Sequence, residues 1–93
     1  MSKISNEKKE KIMADIVATL YQKSPKPLFV VDIARSLARD EEFIKNLLND
    51  LKSKNLVIEI KKNPKGIDYK RRLRWRLSDK VYQVYKANQP HEL

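Results

Sequence analysis

The stretch LVIEIKKNPKGIDYKRRLRWRL, residues 56–77, constrains the fold of this chain more than any other. On either side of NPKG the side chains alternate, the period-two pattern of strands with one buried face. Leu56, Ile58 and Ile60 alternate with Val57, Glu59 and Lys61, while Tyr69, Leu73, Trp75 and Leu77 alternate with Lys70, Arg72, Arg74 and Arg76. Between the two runs, Asn63, Pro64 and Gly66 take the preferred first, second and fourth positions of a type I turn. The segment is therefore predicted to be a hairpin whose return strand has one apolar face and one row of cations. Glu59, expected on the outer face of the first strand, is placed to neutralise one arginine.

Ahead of the hairpin the apolar period lengthens to that of a helix. Ile12, Ile16 and Leu20 recur every fourth residue, flanked by Met13, Val17 and Tyr21, which predicts a first helix over residues 5–22. Pro25 and Pro27 cannot continue it, and they disfavour helical geometry at Ser24 and Lys26. Leu28, Phe29 and Val30 then pass as a short extended piece. VDIARSLA predicts a short second helix with Ile33, Ala34 and Leu37 inward, stopping near Arg39. Asp40 is a suitable N-cap, and Glu41 and Glu42 favour the positive end of a helix dipole, so a third helix begins there. Its inward positions are Ile44, Leu47, Leu48 and Leu51, and Asn55 suits the left-handed residue that closes it. After the hairpin, Ser78 caps a last helix over SDKVYQVYKANQ, which Pro90 ends.

A plan of this size supports one modest core. The 93 residues are expected to form a single domain, with a core over residues 5–88 and a polar tail, 89–93. No apolar run approaches the roughly 18 to 20 residues of a membrane span, and MSKISNEKKEK lacks the apolar centre of a signal peptide, so a soluble cytoplasmic protein is expected. Cysteine is absent and the single histidine, His91, lies in the tail, so neither a metal site nor a cofactor is expected. Catalysis is not expected either: no histidine or serine has a triad-like setting, and with Gly66 as the one glycine no phosphate-cradling loop can form.

The net charge of +9 is unevenly placed. Residues 1–60 carry eleven Lys/Arg against nine Asp/Glu, residues 61–76 carry eight against one, and residues 77–93 carry two against two. A block this one-sided creates a field that attracts polyanions. Lys70, Arg72, Arg74 and Arg76 would follow one another at about 6.6 to 7 Å, twice the rise per strand residue, and phosphates along a nucleic-acid strand recur at comparable spacing. Lys61, Lys62 and Lys65 cluster toward the hairpin tip, and Arg71 lies nearby. Trp75 and Tyr69 share a face with Leu73 and Leu77, so they are expected in the core rather than stacked on bases.

The order helix, extended piece, helix, helix, hairpin, helix resembles the winged helix-turn-helix fold, an α+β architecture of a three-helix core, a two-stranded wing and a C-terminal helix. The segment from VDIARSLARDEEF to LRWRLSD is similar to the DNA-binding core of the multiple antibiotic resistance regulator family and of small archaeal winged-helix proteins. LKSKNLV and WRLSD occupy the places of that family's entry to the wing and exit from it. The resemblance implies that the third helix enters the major groove, presenting Glu42, Phe43, Lys45, Asn46 and Asn49, while the wing cations follow the backbone. Glu41 and Glu42 depart from the family's preference for small polar residues and cations. In the groove a glutamate can accept from cytosine N4, and an asparagine can pair with an adenine edge. The terminal helices of such families usually form a two-fold dimer, which assigns Val81, Tyr82, Val84 and Tyr85 to dimerisation.

The expected function is thus that of a double-stranded DNA-binding transcriptional regulator acting as a homodimer. Two alternatives use the same features: a winged-helix adaptor for other proteins, favoured by the acidic start of the third helix, and an RNA-binding module, since a cationic hairpin can also track an A-form backbone.

Overall fold

The every-fourth-residue seam of the first helix settles into place as written. In the computed structural model, which describes residues 6–61 and 73–88, α1 (Asn6–Lys23) buries Ile12, Ile16 and Leu20. Met13, Val17 and Tyr21 pack against the same core from its edge. The proline-containing segment then delivers β1 (Leu28–Phe29), followed directly by α2 (Val30–Leu37). Asp32 steadies this entry, its carboxylate accepting from the Phe29 backbone N–H at 3.3 Å.

Three residues separate α2 from α3 (Glu41–Ser53). Ala38 takes left-handed geometry, φ 54° and ψ 47°, and the Arg39 N–H reaches back to the Ala34 carbonyl at 2.9 Å. That bond closes α2 as a Schellman turn. Asp40 opens α3 by accepting from the Phe43 N–H, and Ile44, Leu47, Leu48 and Leu51 fill the core as expected. At the far end Asn55 is left-handed, φ 63°, and the Leu56 N–H donates to the Leu51 carbonyl at 2.9 Å. The same device therefore terminates both helices of the pair.

Beyond it come β2 (Val57–Ile60), β3 (Arg74–Leu77) and α4 (Asp79–Ala87), the last opened by Ser78, whose hydroxyl accepts from the Val81 N–H. The expected turn Asn63–Gly66 and Tyr69 lie outside the described residues. The sheet is antiparallel with order β1-β3-β2, so the short extended piece is a third strand rather than a connector. Leu28 opposes Trp75 on one side of β3, and Glu59 opposes Trp75 on the other.

This register corrects one expectation. Residues directly opposite in a ladder share a face, and Val57 opposes Leu77 while Ile58 opposes Arg76. Val57, Trp75 and Leu77 are buried with Leu28, whereas Ile58 is exposed. The apolar face of β2 is thus set by Val57, not by Ile58, and Glu59 lies on the helix-facing side, away from the arginines. The physical reason is that Leu56 is taken up by the closing turn of α3 and so does not set the phase of the strand. Trp75, with no exposed surface, decides which face of β3 is buried, as its alternation with Arg74 and Arg76 indicated.

Candidate nucleic-acid interface

One face of α3 is left to solvent by the packing of the other. Glu42, Lys45, Asn46 and Asn49 are exposed, spaced by three and four residues so that they form one stripe. Phe43 does not belong to it fully: its side chain is half-buried and packs against the core. Of the five residues assigned to the groove, four are available for contact and one chiefly supports the helix. Asp40, Glu41 and Glu42 make the leading turn of α3 acidic, with Lys45 the first cation along it.

The stripe is continuous with the base of the wing. Lys52, in the last turn of α3, donates from Nζ to Glu59 Oε1 at 3.0 Å, and Lys61, just past β2, lies 3.7 Å from the same oxygen. Glu59 is nearly enclosed, its side chain 8% exposed, while the two lysine side chains are 46% and 65% exposed. Lys52 was not among the residues read from the sequence. The signal that would have found it is the strand phase, since only a helix-facing Glu59 can meet the C-terminal turn of α3.

The return strand is less uniform than its alternation implies. Arg74 and Arg76 are half-buried on the outer sheet face, opposite Ile60 and Ile58. Arg76 is also tied down, donating to the Leu77 carbonyl at 3.0 Å and to Asp79 Oδ1 at 3.2 Å, where it joins β3 to the start of α4. Lys62, Lys65, Lys70, Arg71 and Arg72 lie outside the described residues. Trp75 is buried and not offered to a base, in keeping with its reading as a core residue.

On α4 the four assigned residues divide. Tyr82 and Tyr85 turn back on their own domain and meet Tyr21 of α1, with ring centroids 5.4 and 4.6 Å apart. Val81 is half-buried against the core, and Val84 is 54% exposed. A cleft of about 810 Å³ between α1, α4 and the turn after α3 is lined by Val17, Leu56, Val84 and Tyr85, with Lys54 and Lys80 among its other residues. Among the described residues no group of acidic, histidine or cysteine side chains is arranged to hold a metal ion. No helix there is long and apolar enough to cross a membrane.

Comparison with known proteins agrees with this geometry. No curated protein sequence matches the chain. Among solved structures, the Staphylococcus aureus MepR–DNA complex superposes with a TM-score of 0.70 at 23% identity, over 87% of this chain and 64% of that one. A mutant of Lactococcus lactis ZitR gives 0.67 at 20% identity, over 94% of this chain and 55% of the other. The apo-Zalpha domain of Zebrafish PKZ gives 0.63 at 18%, over 77% of this chain and 98% of that domain. The chain thus spans 55 to 64% of the length of the first two. At 23% identity or less, these likenesses are of fold. At the level of sequence, residues 3–71 match the model of the winged helix-turn-helix transcription repressor family, HrcA DNA-binding, and the chain belongs to that family.

Proposed function

We propose that this domain binds double-stranded DNA to regulate transcription, with α3 in the major groove and the wing along the adjacent backbone. The observation that carries the reading is the shared surface of helix and wing. Lys52 from α3 and Lys61 from the wing base reach one carboxylate oxygen, so the exposed stripe of α3 and the cationic segment begin from a common edge. The MepR–DNA complex, with the same fold, supports a duplex as the partner. On this reading the wing supplies most of the affinity through phosphate contacts and α3 supplies sequence preference.

The test is a fluorescence titration over a range of salt with duplex DNA, single-stranded DNA and duplex RNA in parallel. If about six phosphates are neutralised, log affinity for duplex DNA falls against log salt with a slope of roughly −5. A slope near zero would remove the reading. Equal or tighter binding of duplex RNA would replace it with the RNA-binding alternative, and no nucleic-acid binding would point to an adaptor for other proteins.

The domain acts as a two-fold dimer through α1 and α4, with Val84 at the exposed centre of the contact. Support comes from the exposure of that apolar side chain beside the cleft, and from the match between two-fold symmetry and paired half-sites on a duplex.

A further inference from the structure

We infer that Lys52 and Lys61 form a seat for one backbone phosphate, and that Glu59 is its built-in occupant, restraining the domain's affinity for DNA of any sequence. The inference rests on the duplex-binding reading above and gives one of its surfaces an internal competitor. Two ammonium groups converge on Glu59 Oε1, at 3.0 and 3.7 Å. Like charges are not brought to one point without an anion between them, and here the anion is the protein's own carboxylate. An oxygen that accepts from one lysine and lies in ion-pair range of a second is in the position a phosphate oxygen would take.

The register explains how the carboxylate comes to be there. Glu59 opposes Trp75 on the helix-facing side of the sheet, where a strand position beside the core would ordinarily carry an apolar side chain. Its head meets Lys52 in the last turn of α3. The lysines stay largely open to solvent while the carboxylate is nearly enclosed. A phosphate can therefore approach the cations but cannot displace the glutamate into water. With Glu59 in place the trio presents one net positive charge rather than two. Non-specific affinity falls, and the base contacts of α3 weigh more in choosing a site. The acidic opening of α3 at Glu41 and Glu42 acts in the same sense at the other end of the helix.

The experiment compares the wild type with Glu59→Gln, which keeps shape and length but removes the charge. Glu10→Gln, on the exposed face of α1, controls for the change in net charge. Each protein is titrated with random-sequence duplex DNA over a range of salt, eluted from heparin, and melted by circular dichroism. E59Q is expected to bind about 5- to 10-fold more tightly than E10Q at low salt, with a slope steeper by about one unit. Adding Lys52→Ala to E59Q should abolish that gain. E59Q binding no more tightly than E10Q overturns the inference. So does weaker binding, which would make Glu59 a group that positions the lysines rather than one that occupies them. Should E59Q lose its fold, Glu59→Thr, suited to a strand, takes its place with the same expected result. A wild type that heparin retains but no duplex binds removes the DNA reading alone. The heparin column then decides whether Glu59 occupies an anion seat: later elution of E59Q than of E10Q shows that it does, and coincident elution overturns the inference.

Discussion

Ala38 holds left-handed backbone geometry at φ 54°, in the tight turn that sets α2 against α3. For a residue with a Cβ that conformation costs roughly 1–2 kcal/mol, and glycine adopts it freely. Replacing alanine by glycine also gives the unfolded chain more freedom, at about 0.4–1 kcal/mol, so the two effects largely offset. Ala38→Gly is expected to stabilise the domain by about 0.5 kcal/mol, a rise in Tm of roughly 2–4 °C in a thermal melt; a lower Tm would show that the turn is not strained. Two residues on, Asp40→Ala removes the acceptor of the Phe43 N–H, and about 1 kcal/mol of stability with it. The two positions differed in how far the sequence disclosed them. Asp40 as a cap and Asn55 as a left-handed residue follow from side chains suited to those tasks. Ala38 carries no such mark, because the demand on it comes from where α3 must lie against α2.

The helices could be read nearly to their ends, since Ile12, Ile16, Leu20 and then Ile44, Leu47, Leu48, Leu51 repeat at helical spacing and are bounded by proline or by capping residues. The strands could be read as a hairpin but not in phase. Every residue from Leu56 to Ile60 except Glu59 is apolar, so alternation alone left two faces to choose from, and the choice fell to the pairing with Trp75 and Leu77. The fourth helix was ambiguous for a similar reason: Tyr82 and Tyr85 suit a partner subunit as well as they suit Tyr21. Their contacts with Tyr21 make Val84 the better probe of association. Val84→Asp is expected to give a folded monomer by sedimentation, and a wild type already monomeric at tens of micromolar would remove the dimer. Helix and wing should also separate in binding. Lys70→Ala with Arg72→Ala should weaken all duplexes alike and flatten the salt slope by about two units. Asn46→Ala or Asn49→Ala should instead cost about 1–3 kcal/mol on a preferred site and little on random DNA. A preferred site can be obtained by selection from random duplexes, and the opposite pattern would assign affinity to the helix and leave the wing a solvated hairpin.

Across the molecule, the segment that holds almost all the cationic excess is the one the alternation assigns to the wing. Which of those cations are left for a phosphate was not legible, because acids just outside the segment engage two of them: Asp79 holds Arg76, and Glu59, which also holds Lys52, lies beside Lys61. The central strand of the sheet is also the last to be made. Leu28 finds its partner in Trp75, 47 positions further along the chain, and Trp75 and Leu77 close the core that α1, α2 and α3 only begin. A chain stopped at Leu73 is expected to be partly helical by circular dichroism but to melt without a cooperative transition; a sharp melt would show that the helices suffice. At a synthesis rate of about 5–20 residues per second, the nascent chain waits roughly 2 to 9 seconds between making β1 and making its partner. By the end of that interval the ribosome carries three amphipathic helices with their apolar sides uncovered, and it is then that the growing polypeptide is most open to chaperones and proteases.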